Sequence, residues 1–188
     1  MFEDYKTKDS VVIVYTGDSK GKTSASLGLM LRALGADMKV AYVQFIKHWE
    51  VSKHKAIARL QEIYPDELIF LKGGKGFFNA GDLSAKNVSE REHQDAAKET
   101  YRKALEFVSL GDFDLVICDE INNAVNDGLL KKEQLKDLIS KRQKSCSLCL
   151  TGRNFPEDLL DMVDIATEMK KLKHHFDEKF LANKGIDY

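Results

Sequence analysis

The chain has 188 residues, of which 43% are hydrophobic and 31% charged, and its formal net charge is −1 at pH 7. This composition is ordinary for a globular protein, and the near-zero charge gives no general attraction to nucleic acid. No apolar run approaches the roughly 20 residues of a membrane span, and the acidic start does not resemble a signal peptide. We therefore expect a single domain over residues 1–188 that is cytoplasmic and binds neither nucleic acid nor membrane.

The first predicted elements lie in the stretch VVIVYTGDSKGKTS, residues 11–24. Its β-branched start predicts a buried strand, its two glycines a tight loop, and the residues from Lys22 a helix that stops at Gly35. A strand, a glycine loop, Gly-Lys-Thr and a helix form the context of a phosphate-binding loop, in which backbone N–H groups face an anion. Lys22 adds a positive charge, and the Thr23 hydroxyl can bind Mg²⁺. ATP or GTP is the expected ligand.

The spacing of the two glycines in this loop is unusual. Gly17 and Gly21 enclose only three residues, whereas the standard pattern encloses one more. A shorter loop cannot wrap a phosphate chain in the ordinary way. The alternative interpretation is a glycine-containing turn that binds no ligand.

The remaining predicted elements alternate along the chain. Strands are predicted at residues 38–45, 68–71, 113–118, 145–151 and 165–169, and helices at residues 47–63, 89–109, 131–144 and 156–162. This alternation predicts an α/β fold of the P-loop (RecA-like) type, with a mostly parallel sheet covered by helices on both faces. The carboxyl ends of the strands should then converge on one edge, where ligands bind in such folds.

Three polar side chains are expected at that edge. Asp119 and Glu120 follow an apolar strand, the position from which carboxylates reach Mg²⁺ in P-loop proteins, although a solvated strand end is the alternative. Arg153 follows the strand that ends near Thr151 and could clamp phosphate oxygens. Alternatively, Arg153 pairs with a carboxylate of the helix that starts near Pro156.

An irregular, glycine-rich segment over residues 72–87 contains the adjacent rings Phe77 and Phe78. Its residues show neither strand nor helix periodicity. Two interpretations are open: the rings cover the edge of the core, or they face a large flat ligand.

Taken together, these residues resemble the corrinoid adenosyltransferases of cobalamin synthesis and salvage, P-loop proteins that transfer the adenosyl group of ATP to reduced cobalt. The resemblance spans nearly the whole chain. It is carried by VYTGDSKGKTSASLGLMLRALG, KVAYVQFIK, FDLVICDEIN, LTGRNFPEDLLDMVDIATEM and the closing KGIDY. The short GxxxGKT loop, LTGR before Pro156 and the ending Gly185–Tyr188 are its most specific parts.

The resemblance implies Mg-ATP and a corrinoid such as cobalamin as substrates. The triphosphate would be held by the loop residues Gly17, Asp18, Ser19, Lys20, Gly21, Lys22, Thr23 and Ser24, together with Arg153. Thr23 and Glu120 would bind Mg²⁺ with support from Asp119. Cobalt(I) is itself the nucleophile, so no side-chain base is expected. A homodimer and a reduced flavoprotein as electron donor are also implied.

The same resemblance places Phe77, Phe78 and Asn79 beside the corrinoid, with Phe77 next to the lower face of the corrin. The position where the family often has tryptophan holds Asn79, or Phe78 if the alignment is shifted by one residue. This departure keeps open an ATP-dependent corrinoid carrier that forms no cobalt–carbon bond. The other alternative is an ordinary P-loop ATPase or phosphotransferase, which would release phosphate or ADP.

Overall fold

The computed structural model describes residues 4–46, 51–75 and 88–187. Within these ranges, six strands form one sheet, and every neighbouring pair of strands is parallel. The strands are β1 (Val12–Thr16), β2 (Val40–Gln44), β3 (Leu68–Lys72), β4 (Leu115–Asp119), β5 (Ser147–Thr151) and β6 (Ile165–Glu168). Their order across the sheet is β3-β2-β4-β5-β1-β6. The predicted α/β fold with a parallel sheet is confirmed.

The helices of the described ranges connect these strands. They are α1 (Lys22–Leu34), α2 (Ser52–Ile63), α3 (Glu90–Leu110), α4 (Ile121–Asn126) and α5 (Lys132–Lys141), with 3-10 turns at Glu157–Met162 and His175–Glu178. Helix α3 begins at the predicted cap, where the Ser89 side chain accepts a hydrogen bond from the Glu92 N–H. Helix α2 begins later than predicted because Val51 is extended, with φ of −116°. The prediction missed the short helix α4.

The two faces of the sheet carry separate apolar cores. On β1, Val12 and Val14 pack with helices α3, α4 and α5, whereas Ile13 packs with α1 and α2. Successive residues of β4 and β5 also alternate between the two cores, as expected from the period of two in a strand. By this parity, Asp119 and Thr151, at the ends of β4 and β5, belong to the face covered by α1 and α2. Both side chains therefore lie near the start of α1, where Asp119 contacts Thr23.

Helices were expected to cover both faces of every strand, but all residues of the edge strand β6 are exposed. Its attachment to β1 is nevertheless specific. The Val12 N–H donates to the Asp164 carboxylate at 2.8 Å, and the Met169 N–H donates to the Thr16 carbonyl at 2.8 Å. Strand β6 therefore ends directly against the loop that follows β1. Among the described residues, no helix combines the length and apolarity needed to cross a membrane.

Candidate nucleotide-binding site

The loop between β1 and α1 is shaped by two glycines with positive φ, Gly17 at 98° and Gly21 at 110°. A Cβ on Gly17 would lie 2.5 Å from the Met169 carbonyl oxygen, so only glycine fits at this approach. The Ser19 N–H donates to the same carbonyl at 3.0 Å. The end of β6 therefore forms part of the support of the loop.

The Lys22 ammonium lies over this loop. Its Nζ donates to the carbonyl oxygens of Gly17, at 2.6 Å, and Ser19, at 2.5 Å. Partial burial, followed by the positive charge of Arg153, lowers the pKa of Lys22 from its ordinary value. Lys22 and Arg153 thus act on one another as like charges, and an anion between them would relieve that repulsion.

The Asp119 carboxylate is completely buried and is the centre of the site. Its Oδ1 accepts from the Thr151 hydroxyl at 2.7 Å and from the Thr23 hydroxyl at 3.0 Å. Its Oδ2 accepts from the Lys53 ammonium at 2.6 Å. Burial alone would raise the pKa of Asp119, but Lys53 and the two hydroxyls outweigh it and hold the pKa below its ordinary value. Asp119 is therefore ionised at neutral pH.

Glu120 follows Asp119 in a left-handed conformation, with φ of 64°, a strained geometry for a residue with a side chain. Its N–H donates to the Thr151 hydroxyl at 2.9 Å, and that hydroxyl in turn donates to Asp119. The negative charge of Glu120 also acts on Lys22. Thr151 thus locks the ends of β4 and β5 together and fixes the backbone that carries both acidic residues.

Arg153 is placed by the turn that follows β5. Gly152 has φ of 131°, and a Cβ there would lie 2.9 Å from the Asn123 backbone nitrogen. The Arg153 N–H donates to the Asn123 side-chain oxygen at 2.7 Å. None of the ion pairs between described residues includes Arg153, which is exposed. The alternative that it pairs with a carboxylate near Pro156 is therefore not observed there.

The chain matches a protein family described as ATP:corrinoid adenosyltransferase BtuR/CobO/CobP over residues 8–188. It belongs to this family. A corrinoid adenosyltransferase of Pseudomonas aeruginosa is 31% identical over 178 residues, which cover 95% of this chain and 83% of that protein. One from Escherichia coli K12 is also 31% identical, over 180 residues that cover 95% of this chain and 85% of the relative.

A solved structure with a similar fold is that of a KaiC-like protein from Pyrococcus horikoshii OT3. The two share a TM-score of 0.52 at 13% sequence identity, over 88% of this chain and 75% of that chain. At this identity the likeness concerns the fold alone, and it agrees with the predicted α/β fold.

In this adenosyltransferase chain the structure joins Thr23 to Asp119 by a hydrogen bond, and the charges of Arg153, Glu120 and Asp119 act on Lys22. Asp18 and Ser24 lie on the same loop and helix start and are exposed. The predicted corrinoid residues Phe77, Phe78 and Asn79 lie outside the described residues. Their assignment stays a prediction.

Two residues of the site were missed by the sequence interpretation. Thr151 could have been recognised, because it ends a strand next to the Asp119 strand and therefore shares its edge and face. Lys53 gives no such signal, since it lies on a helix with a mixed apolar pattern whose start was misplaced.

A further missed contact involves the end of the chain. The Lys20 ammonium of the phosphate loop pairs with Asp187, whose side chain is only 5% exposed. Asp187 also accepts from the Asn183 N–H at 2.6 Å. The C-terminal Gly-Ile-Asp segment therefore packs back onto the loop, which gives a physical reason for its place in the family resemblance.

Proposed function

We propose that this protein transfers the 5′-deoxyadenosyl group of ATP to the cobalt(I) of a corrinoid and releases triphosphate. ATP-dependent adenosylation of corrinoids is the activity of the family. The observation that supports this chain's use of ATP is the arrangement around Lys22: two cations beside a glycine loop, facing a hydroxyl and an ionised carboxylate. Such a set binds a triphosphate and its metal ion.

The residues at the start of α1 fit a magnesium ion. Thr23 Oγ1 and Asp119 Oδ1 are 3.0 Å apart, and both are hard oxygen ligands of the kind Mg²⁺ prefers. Asp119 is also ionised, as a ligand must be. We assign Thr23, Asp119 and Glu120 to the metal, which when bound would neutralise negative charge on the phosphate oxygens.

The reaction breaks the bond between the ribose C5′ and its oxygen and forms a cobalt–carbon bond. Cobalt(I) supplies the electron pair of the new bond, and the pair of the broken bond leaves with triphosphate. Lys22 and Arg153 would stabilise the charge that develops on that leaving group. A side-chain base has no role in this step, because no proton is removed from the nucleophile. The residues therefore bind and orient ATP, and the corrinoid supplies the reactive metal.

The corrinoid would be held by Phe77, Phe78 and Asn79. Apolar rings below the corrin would exclude water and the lower axial ligand of cobalt(II), which makes its reduction to cobalt(I) easier. Phe77→Ala and Phe78→Ala should then slow turnover that starts from cobalt(II) and leave turnover from chemically reduced cobalt(I) less affected. Equal rates for the wild type and both variants from cobalt(II) would contradict this role.

The decisive experiment is anaerobic incubation of the protein with Mg-ATP and chemically reduced cob(I)alamin. We expect a light-sensitive adenosylcobalamin spectrum and one triphosphate per turnover. ATP binding without a cobalt–carbon product would favour the carrier. Release of phosphate or ADP without corrinoid would favour an ordinary ATPase.

Lys22→Ala tests the phosphate assignment. Lys22 bonds only to two loop carbonyls among the described contacts, so its removal should abolish turnover and leave the protein folded. Lys136→Ala, an exposed lysine on α5, is the matched control and should keep full activity. Full activity of Lys22→Ala would overturn the assignment of the triphosphate to this loop.

Three further parts of the proposal concern the protein's surroundings. We propose a homodimer, a reduced flavoprotein as electron donor and a cytoplasmic location. The dimer is supported by large apolar side chains exposed near the C-terminal end, among them Leu172, Phe180, Leu181 and Ile186. Light scattering with size-exclusion chromatography would measure the mass, and a monomer at micromolar concentration would contradict the dimer.

A further inference from the structure

Lys53 occupies an unexpected position at the centre of the site. Its ammonium lies 2.6 Å from Asp119 Oδ2, and the exposed fractions of the two side chains are 10% and 0%. Lys53 is in the first turn of α2, on a different element from the phosphate loop and from β4. The carboxylate proposed for Mg²⁺ therefore already has a buried counter-ion from the protein.

A buried carboxylate without a partner is strongly unfavourable, so Asp119 needs a positive charge when no metal is present. Lys53 meets this need on Oδ2, and the hydroxyls of Thr23 and Thr151 hold Oδ1. A divalent cation on the same carboxylate would lie close to the ammonium in a poorly hydrated place, where like charges repel strongly. The two cations thus oppose each other's binding to Asp119.

We infer that Lys53 is a positioning residue that holds Asp119 in place before the nucleotide binds and competes with Mg²⁺ for that carboxylate, so that loading Mg-ATP displaces the ammonium from Asp119. This inference rests on the magnesium site proposed above. It links the metal to α2, because the first turn of α2 loses the ion pair between Lys53 and Asp119 of β4 when the ammonium is displaced. A variant in which a neutral side chain replaces Lys53 should therefore bind Mg²⁺ more tightly than the wild type.

The test measures magnesium binding without the corrinoid reaction. The protein is saturated with ATP, Mg²⁺ is titrated, and the magnesium concentration for half-maximal rise in melting temperature is recorded. Lys53→Met should lower this concentration about tenfold, because a hydrogen bond to a charged group of about 1.4 kcal/mol or more no longer opposes the metal. Lys55→Met, an exposed lysine on the same helix, should leave it unchanged.

Lys53→Met leaves Asp119 uncompensated in the metal-free protein, and it could fail to fold. Lys53→Gln is the second variant, because its amide can still donate to Asp119 Oδ2 without a charge. It should also lower the required magnesium concentration, by a smaller factor, and its result decides if the first variant does not fold.

The outcomes separate this inference from the proposed function. If the wild type is stabilised by ATP in a Mg²⁺-dependent way but the Lys53 variants need as much Mg²⁺ or more, Lys53 does not compete and instead supports the phosphates or the fold. If the wild type itself shows no dependence on Mg²⁺, the proposed metal site fails and the inference with it. Only a lower requirement confined to the Lys53 variants supports the competition.

Discussion

Replacement of Gly17 by alanine tests whether the end of β6 supports the phosphate loop. Gly17 has φ of 98°, and its added Cβ would lie 2.5 Å from the Met169 carbonyl oxygen and 2.8 Å from the Met169 nitrogen. Both neighbours are backbone atoms, so no side-chain rotation relieves the overlap. Either the loop or the end of β6 must move.

The size of the effect has two contributions. A residue with a side chain at positive φ is strained by about 1–2 kcal/mol. A shift of Met169 would break two hydrogen bonds, one from the Ser19 N–H to its carbonyl and one from its own N–H to the Thr16 carbonyl. Each contributes about 1 kcal/mol to the free energy of unfolding. We expect Gly17→Ala to destabilise the protein by about 3–4 kcal/mol, which lowers the melting temperature by about 6–16 °C at this chain length.

Gly28→Ala is the matched control, because the chemical change is the same and nothing lies within 4 Å of the added Cβ. Gly28 is inside α1, where alanine is favoured over glycine by about 1 kcal/mol, so this variant should be slightly more stable than the wild type. Calorimetry gives both melting temperatures, and isothermal titration gives ATP affinity. A Gly17→Ala protein that melts within about 2 °C of the wild type (about 0.5–1 kcal/mol) and binds ATP equally would refute the reasoning.

Two further predictions concern contacts that join distant segments. The hydrogen bonds from Lys8 and from the Val12 N–H lower the pKa of Asp164, so its stabilisation is present above about pH 4, the unfolded value, and is lost as pH falls through the folded pKa. Between about pH 6 and about pH 3, on either side of the unfolded pKa, the free energy of unfolding in urea should fall less for Asp164→Asn than for the wild type. Equal losses would contradict this. Asp187→Asn removes the charge paired with Lys20 and should weaken ATP binding about twofold to fivefold, as measured by titration calorimetry. An unchanged affinity would show that the C-terminal segment does not support ATP binding by the loop.

The fold and the phosphate loop were predictable because their signals are local. The β-branched run before Gly17 and the apolar stripe after Lys22 specify a strand and a helix, and the glycines between them specify the turn. The position of Asp119 at the end of β4, on the same edge as the loop, followed from the same kind of reasoning, because parallel strands align their carboxyl ends. The observed strand boundaries differ from the predicted ones by at most two residues, which does not change which face of the sheet each side chain is on.

Ion pairs between residues far apart in the sequence were harder to predict, because no local sequence pattern indicates them. The Lys53–Asp119 pair joins residues 66 positions apart, and the Lys20–Asp187 pair joins residues 167 positions apart. A lysine on a mixed helix is usually solvated, so the sequence gives no reason to bury Lys53. Its burial follows only from how α2 packs beside β2 and β3.

These contacts also decide how mutations of Asp119 must be interpreted. Asp119→Asn leaves the buried Lys53 unpaired and should destabilise the fold by about 3–5 kcal/mol, so lost activity alone does not identify a metal ligand. The double variant Asp119→Asn, Lys53→Met removes both charges together and should recover much of that stability. If Asp119 binds the metal, the recovered fold should still show no Mg²⁺-dependent gain in melting temperature with ATP. A double variant that regains the full magnesium effect would assign the metal to other oxygen ligands and leave Asp119 a structural role only.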